Sequence, residues 1–145
     1  MRRVHRSALL PYKSEQVFDI VNDVLSYPDF LPWCAKSELL EQSGDSLVGR
    51  LTIAKGGVSQ TFTTRNTLSP PGHMHLALVE GPFTTLEGDW QIHPLGDEGC
   101  RVEMTLKFEF DSRLAGMILG RVFEQAADTM VDAFCDRADE MYRKR

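Results

Sequence analysis

The 145-residue sequence predicts an α+β domain in which a curved antiparallel sheet of six to seven strands wraps around one long C-terminal helix. Three features predict it. A proline-free segment from Asp111 or Ser112 to about Arg143 repeats apolar residues at Met117, Leu119, Val122, Phe123, Ala126, Met130, Ala133, Phe134, Ala138 and Met141, the spacing of an amphipathic helix. Upstream, turn chemistry at Ser43-Gly44-Asp45, Lys55-Gly56-Gly57, Ser69-Pro70-Pro71-Gly72 and Gly96-Asp97-Glu98-Gly99 cuts the chain into short runs, the texture of a strand meander. Within those runs apolar and polar residues alternate, as in Leu47-x-Gly49-x-Leu51-x-Ile53 and Val102-x-Met104-x-Leu106-x-Phe108-x-Phe110, so each strand has a dry face and a wet one.

The elements follow in order. Arg3 to Leu10 reads as a first strand closed by Pro11, and Ser14 reads as the N-cap of a short helix with Glu15 in its first turn. Val17, Phe18, Val21 and Val24 or Leu25 share one face of that helix, opposite Glu15, Asp19, Asn22 and Asp23. Tyr27-Pro28 restarts the chain, and Asp29 to Leu31 form a second short turn. Strands are expected from Ala35 onward. After Gly57 the set Val58, Gln60, Phe62, Thr64, Asn66 and Leu68 gives one mixed face, which suits either a cavity wall or a sheet edge. The last helix, about 45–50 Å long at 1.5 Å per residue, exceeds the ~29 Å diameter expected of a domain this size, so it must cross all of it. No internal repeat or linker interrupts the chain, and residues 1–145 read as one domain.

Bulk properties narrow the function. A domain of this length buries about 68–70% of its unfolded surface, enough for a sizeable core without staples. No run of ~18 apolar residues could span a membrane, and Ser7 to Pro11, behind the basic start, is too short for a signal-peptide core. Cys34, Cys100 and Cys135 are odd in number and far apart, so a reducing cytoplasm is expected rather than a disulfide framework or a zinc knuckle. A net charge of −5 argues against general or sequence-specific nucleic-acid binding. Positive charge gathers only at the ends, in Arg2, Arg3 and Arg6 and in Arg137, Arg143, Lys144 and Arg145. These are either solvated termini or, if the termini meet, one local patch.

Catalytic signatures are sparse. His5, His73, His75 and His93 make no metal motif, and although His73 and His75 share a strand face, no third ligand is spaced to join them. Glu80, Glu87, Asp89 and His75 are the acid–base candidates, effective only if turned into an apolar gap that raises a carboxyl pKa. No nucleophile elbow, phosphate loop or dinucleotide fingerprint occurs. Cys34 reads either as a reactive thiol or as a small buried hydrophobe.

Two stretches are richer than packing requires: Tyr27-Pro28-Asp29-Phe30-Leu31-Pro32-Trp33-Cys34, and Glu80-Gly81-Pro82-Phe83-Thr84-Thr85-Leu86-Glu87-Gly88-Asp89-Trp90. With Met130 to Ala138, these carry a resemblance over essentially the whole chain to the family of bacterial ribosome-association toxins and coenzyme Q-binding proteins, whose fold is START-like and polyketide-cyclase-like. The resemblance implies a helix-grip fold. It also implies one of two roles: holding a polyprenyl quinone such as ubiquinone in the cavity to support respiration, or binding the large ribosomal subunit and blocking subunit association. For the first, Phe30, Leu31, Trp33, Phe62, Phe83, Leu86, Trp90, Val122, Phe123 and Met130 would supply apolar area, worth roughly 25 cal/mol per Å². For the second, Arg2, Arg3 and Arg6 would supply the basic contact. A noncatalytic ligand binder, cytoplasmic or peripheral at the inner membrane and with no required cofactor, is the leading expectation. A cyclase or hydrolase on the same fold is a third reading.

Overall fold

The computed structural model describes residues 2–143. Seven strands, β1 (Arg2–Leu10), β2 (Cys34–Ser43), β3 (Ser46–Lys55), β4 (Val58–Ser69), β5 (His73–Glu80), β6 (Phe83–Leu95) and β7 (Gly99–Phe110), form one antiparallel sheet in the order β1-β7-β6-β5-β4-β3-β2. Between β1 and β2 stand helix α1 (Ser14–Asn22) and a short 3₁₀ helix (Val24–Asp29); helix α2 (Arg113–Tyr142) ends the chain. The strands from β2 to β7 are consecutive neighbours, as hairpins require, and β1 closes the set by pairing with β7, Arg2 opposite Phe108 through Leu10 opposite Cys100. At the β3–β4 turn Lys55 pairs with Val58, and Gly56 and Gly57 both take positive φ, the demand of a two-residue primed turn.

Helix α2 is about 45 Å long at 1.5 Å per residue and packs chiefly on β1 and β7. Ser112 caps it, its Oγ accepting from the Ala115 N–H at 3.0 Å. The core lies between sheet and helices. Val17, Phe18, Val21 and Val24 are buried as their spacing predicts, whereas Leu25 is exposed.

Four expectations are corrected. Lys13, not Ser14, is the N-cap of α1: the Gln16 side chain accepts from the Lys13 N–H at 3.0 Å, and Ser14 becomes the first helical residue, its hydroxyl buried without a partner. The second turn lies earlier than Asp29–Leu31, because Ser26 folds back on Asp23 through both backbone and hydroxyl, and Pro28 sits inside the 3₁₀ helix. Val48, on the outer face of β3, is 4% exposed although that face reads as wet. Its cross-strand neighbours Glu41 and Arg65 pair at 3.7 Å, and their stems cover it. Met117 and Met141, on the predicted apolar stripe of α2, are exposed: in the first turns it is Gly116 and Gly120 that meet Phe110 and Arg2, and near the C-terminus Ala138 and Tyr142 that pack on the core.

Candidate functional site: an apolar cavity between sheet and helix

The strands that alternate most strictly build the site. Their inward residues Gly49, Leu51, Phe62, Thr64, Asn66, Met74, Leu76, Leu86, Trp90 and Met104 face Phe123, Ala126, Ala127 and Met130 of α2 across a cavity of about 70 Å³. Tyr27 and Trp33 close one side. Two aromatic clusters bracket the space. In one, Phe62, Phe83, Phe108, Phe110 and Phe123 touch edge to face or stacked, with Phe108 and Phe123 centroids 4.7 Å apart. In the other, Phe134 contacts Tyr27, Phe30 and Trp90 at centroid distances of 5.5, 5.2 and 5.0 Å. Such contacts favour particular ring orientations, so the walls are stiffer where rings meet than at Met130 and Leu51, though a ring such as Phe62 can still turn.

The lining carries little polarity. Thr64 donates its hydroxyl to Asn66 Oδ1 at 2.9 Å, which turns the Asn66 Nδ2 donor away from Thr64. Trp33 Nε1 is buried with no hydrogen-bond partner. Tyr27 donates to the Val21 carbonyl, and its burial raises the phenol far above the ordinary range, so it stays neutral. No Asp, Glu, His, Lys, Arg or Cys lines the cavity among the described residues.

The ten residues expected to hold a ligand divide three ways. Trp33, Phe62, Leu86, Trp90, Phe123 and Met130 line the cavity. Phe83 and Val122 line a smaller apolar hollow beside it, which shares Ile53, Phe62 and Phe123 with the cavity. Phe30 and Leu31 belong to neither: Phe30 packs on Tyr27 and Phe134 beneath the Arg137 guanidinium, and Leu31 is buried in the core. Of the mixed face of β4, Phe62, Thr64 and Asn66 form cavity wall, the first of its two readings. Ala126 and Ala127 escaped sequence reasoning as cavity residues because small side chains read as helix packing.

The acid–base candidates lie elsewhere. Glu80 and Glu87 are exposed, and Asp89 is on the outer face of β6, where its Oδ1 meets His73 Nε2 at 2.7 Å and His75 Nδ1 at 2.9 Å. Asp89 is the partner that in-strand spacing could not reveal, since β5 and β6 must pair to place His75 opposite it. Partial burial pushes the Asp89 carboxyl up, but hydrogen bonds and charge from His75 and His73 outweigh it and hold the group below its ordinary value. The three cysteines are unpaired, and desolvation raises the Cys34 thiol to about 11, which keeps it protonated and a poor nucleophile at neutral pH.

The basic residues also separate. Arg2 pairs with Glu124 at 3.1 Å and lies over the Phe110 ring, and Arg6 pairs with Asp128 at 2.8 Å, so both fasten β1 to α2. Arg3 points to the opposite face of β1. The strand runs alongside α2 in the same direction, which leaves Arg143 roughly 28 Å along the helix from the Arg2 contact. The described basic ends therefore do not meet; Lys144 and Arg145, the remainder of that expected patch, lie outside the described residues.

A curved sheet gripping a helix over an apolar, uncharged cavity defines a helix-grip protein. Residues 10–135 match the profile of the family described as polyketide cyclase/dehydrase and lipid transport, and the chain belongs to that family. It is 50% identical to the ribosome association toxin RatA of Pseudomonas aeruginosa over 139 residues, 96% of each chain. It is also 29% identical to the mitochondrial coenzyme Q-binding protein coq10 of Schizosaccharomyces pombe, over 91% of this chain and 84% of that one. Among solved structures, the Zhui aromatase/cyclase of Streptomyces sp. R1128 superposes with a TM-score of 0.86 at 23% identity, covering 98% and 96% of the two chains, a likeness of fold. No helix among the described residues is long and apolar enough to cross a membrane.

Proposed function

We propose that the protein is a noncatalytic binder of a polyprenyl quinone of the ubiquinone class, working in the cytoplasm and visiting the inner membrane to support respiration. The observation that carries this is the cavity: apolar on nearly every side, with Asn66, Thr64, Thr105, Tyr27 and the unpartnered Trp33 Nε1 as its few hydrogen-bonding groups. A quinone matches that inventory, having an apolar body and carbonyl oxygens that only accept. The printed name of the S. pombe relative, coenzyme Q-binding, supports the same class. At about 70 Å³ the cavity is well below the 300–1,000 Å³ of sites that engulf drug-sized ligands, so binding would require side chains such as Phe62 and Met130 to swing aside. The absence of carboxylates and imidazoles from the lining favours binding over cyclase or hydrolase chemistry.

The test uses the only two tryptophans, Trp33 and Trp90, both in the cavity wall. Titration with a short-tailed quinone should quench most of the intrinsic tryptophan emission saturably, and Trp90→Ala should weaken retention. Extraction of protein purified without detergent, followed by mass spectrometry, should yield a stoichiometric polyprenyl quinone. No quenching and no extracted quinone would overturn the reading.

A second reading, association with the large ribosomal subunit to block subunit joining, is favoured by the name of the P. aeruginosa relative. Under it Arg3 is the residue to reverse, since reversing Arg2 or Arg6 would also break the contacts to Glu124 and Asp128. Arg3→Glu should reduce cosedimentation with isolated large subunits. Unchanged cosedimentation would remove Arg3 from the contact.

A further inference from the structure

Large apolar side chains left in solvent are mostly scattered singly, as at Leu9, Leu25, Leu40 and Leu95, and single exposures are ordinary. The start of α2 differs. Leu114, Met117 and Ile118, exposed by 65%, 75% and 51%, fall within its first two turns, and helical spacing puts Arg113 and Arg121 on the same face. Neither arginine has a carboxylate within 4 Å among the described residues, whereas Arg2 and Arg6 are neutralised by Glu124 and Asp128. On a chain of net charge −5 this is a local reversal of sign beside an apolar knob. The nearby acids Glu80 and Asp111 line the groove on the other side of Pro82, together with Lys36 and Arg50.

The same face opens inward. Leu114, Ile118 and Leu119 form a shallow groove with Val58 and Pro82 beside the β3–β4 turn. That groove shares Gln60, Pro82 and Leu119 with the small apolar hollow, and the hollow shares Ile53, Phe62 and Phe123 with the central cavity. A track that is mixed at its mouth, where Ser59, Gln60 and Ser112 join the lining, and apolar further in therefore runs from the exposed start of α2 to the cavity, interrupted at Phe62 and Phe123, whose rings meet at 5.9 Å.

We propose that this face seats on an anionic lipid bilayer and that the apolar ligand passes between bilayer and cavity along the track past Phe62 and Phe123; this rests on the quinone-binding reading. Apolar side chains enter the acyl boundary while Arg113 and Arg121 reach back to lipid phosphates, the division of labour of interfacial helices. A bilayer fits better than a protein partner because the track needs an apolar phase at its outer end, which a folded polar surface does not provide.

The experiment floats the full chain on density gradients with phosphatidylethanolamine/phosphatidylglycerol vesicles, with pure phosphatidylcholine vesicles as control. The wild type should float with the anionic vesicles and much less with the neutral ones. Leu114→Glu/Ile118→Glu should reduce flotation, and the rate of long-tailed quinone uptake from those vesicles, at least ten-fold. The same variant should keep its urea midpoint and its quenching by a water-soluble short-tailed quinone, since neither residue lines the cavity. A wild type that takes the soluble quinone but never floats overturns the docking face and leaves the cavity reading standing. Flotation without quinone binding overturns the cavity reading and the track but supports the docking face. A dimer split by Leu114→Glu/Ile118→Glu, with no flotation, overturns the proposal in favour of a contact between two copies of the chain.

Discussion

The two parts of α2 both carry large apolar side chains and give them opposite fates. From Phe123 to Ala138 the apolar residues Phe123, Ala126, Ala127, Val131, Phe134 and Ala138 are buried; from Leu114 to Ile118 the apolar residues Leu114, Met117 and Ile118 are exposed. Periodicity is a property of the helix alone, whereas burial needs a surface opposite. The later part has β1, β7 and α1 across from it; in the first turns Gly116 and Gly120 face Phe110 and Arg2, and the helical turn puts Leu114 and Ile118 on the side away from them. One segment thus supplies cohesion and the other is left available for contact.

That contrast can be broken from either side. The largest effect should come from Phe134→Ala, which removes a ring packed on Tyr27, Phe30 and Trp90; unfolding in urea should show a loss of about 3–5 kcal/mol. Ala127→Leu, in the cavity-lining stretch, pushes added carbons into the hollow space and should cost only about 1 kcal/mol, the low end for overpacking, while abolishing quinone quenching. A larger stability loss with quenching retained would mean that the cavity wall lies elsewhere. In the first turns, Leu114→Ala/Ile118→Ala should change stability by no more than about 0.5 kcal/mol, because the removed atoms are already wet.

The smallest effect belongs to the outer face, remote from the helix. The Asp89 carboxyl is held below its ordinary value in the folded chain, so its ionised form contributes stability above the unfolded pKa, and that contribution disappears as pH falls through the folded one. Asp89→Asn should therefore lower stability near neutrality and converge with the wild type in acid. With His73, His75 and Asp89 side chains each about 40% exposed, solvent screening limits the difference to a few tenths of a kcal/mol. Urea midpoints at matched pH values measure it.

Much of the fold was legible in local pattern. Alternation in β3 and β7, the Lys55-Gly56-Gly57 turn and the start of the last helix near Ser112 are short-range facts, and each appears in the structure. The candidate site was legible in part, since large residues such as Trp33, Trp90 and Phe62 advertise apolar surface. The small ones do not. Gly49, Ala126 and Ala127 matter to the cavity by leaving room, and room exists only between elements that are distant in sequence.

Local pattern along the chain dictates the α+β class, the strand turns, the span of the last helix and a family resemblance that the sequence relatives confirm. Tertiary structure alone decided that Arg2 and Arg6 are spent on α2, that Asp89 joins His73 and His75, and that the carboxylates face away from the cavity. The physical reason is the range of the interactions. Turn chemistry and periodicity act over a few neighbouring residues, whereas ion pairs and cavities depend on strand order, register and the sheet's closure over a helix more than a hundred residues from the strand it grips.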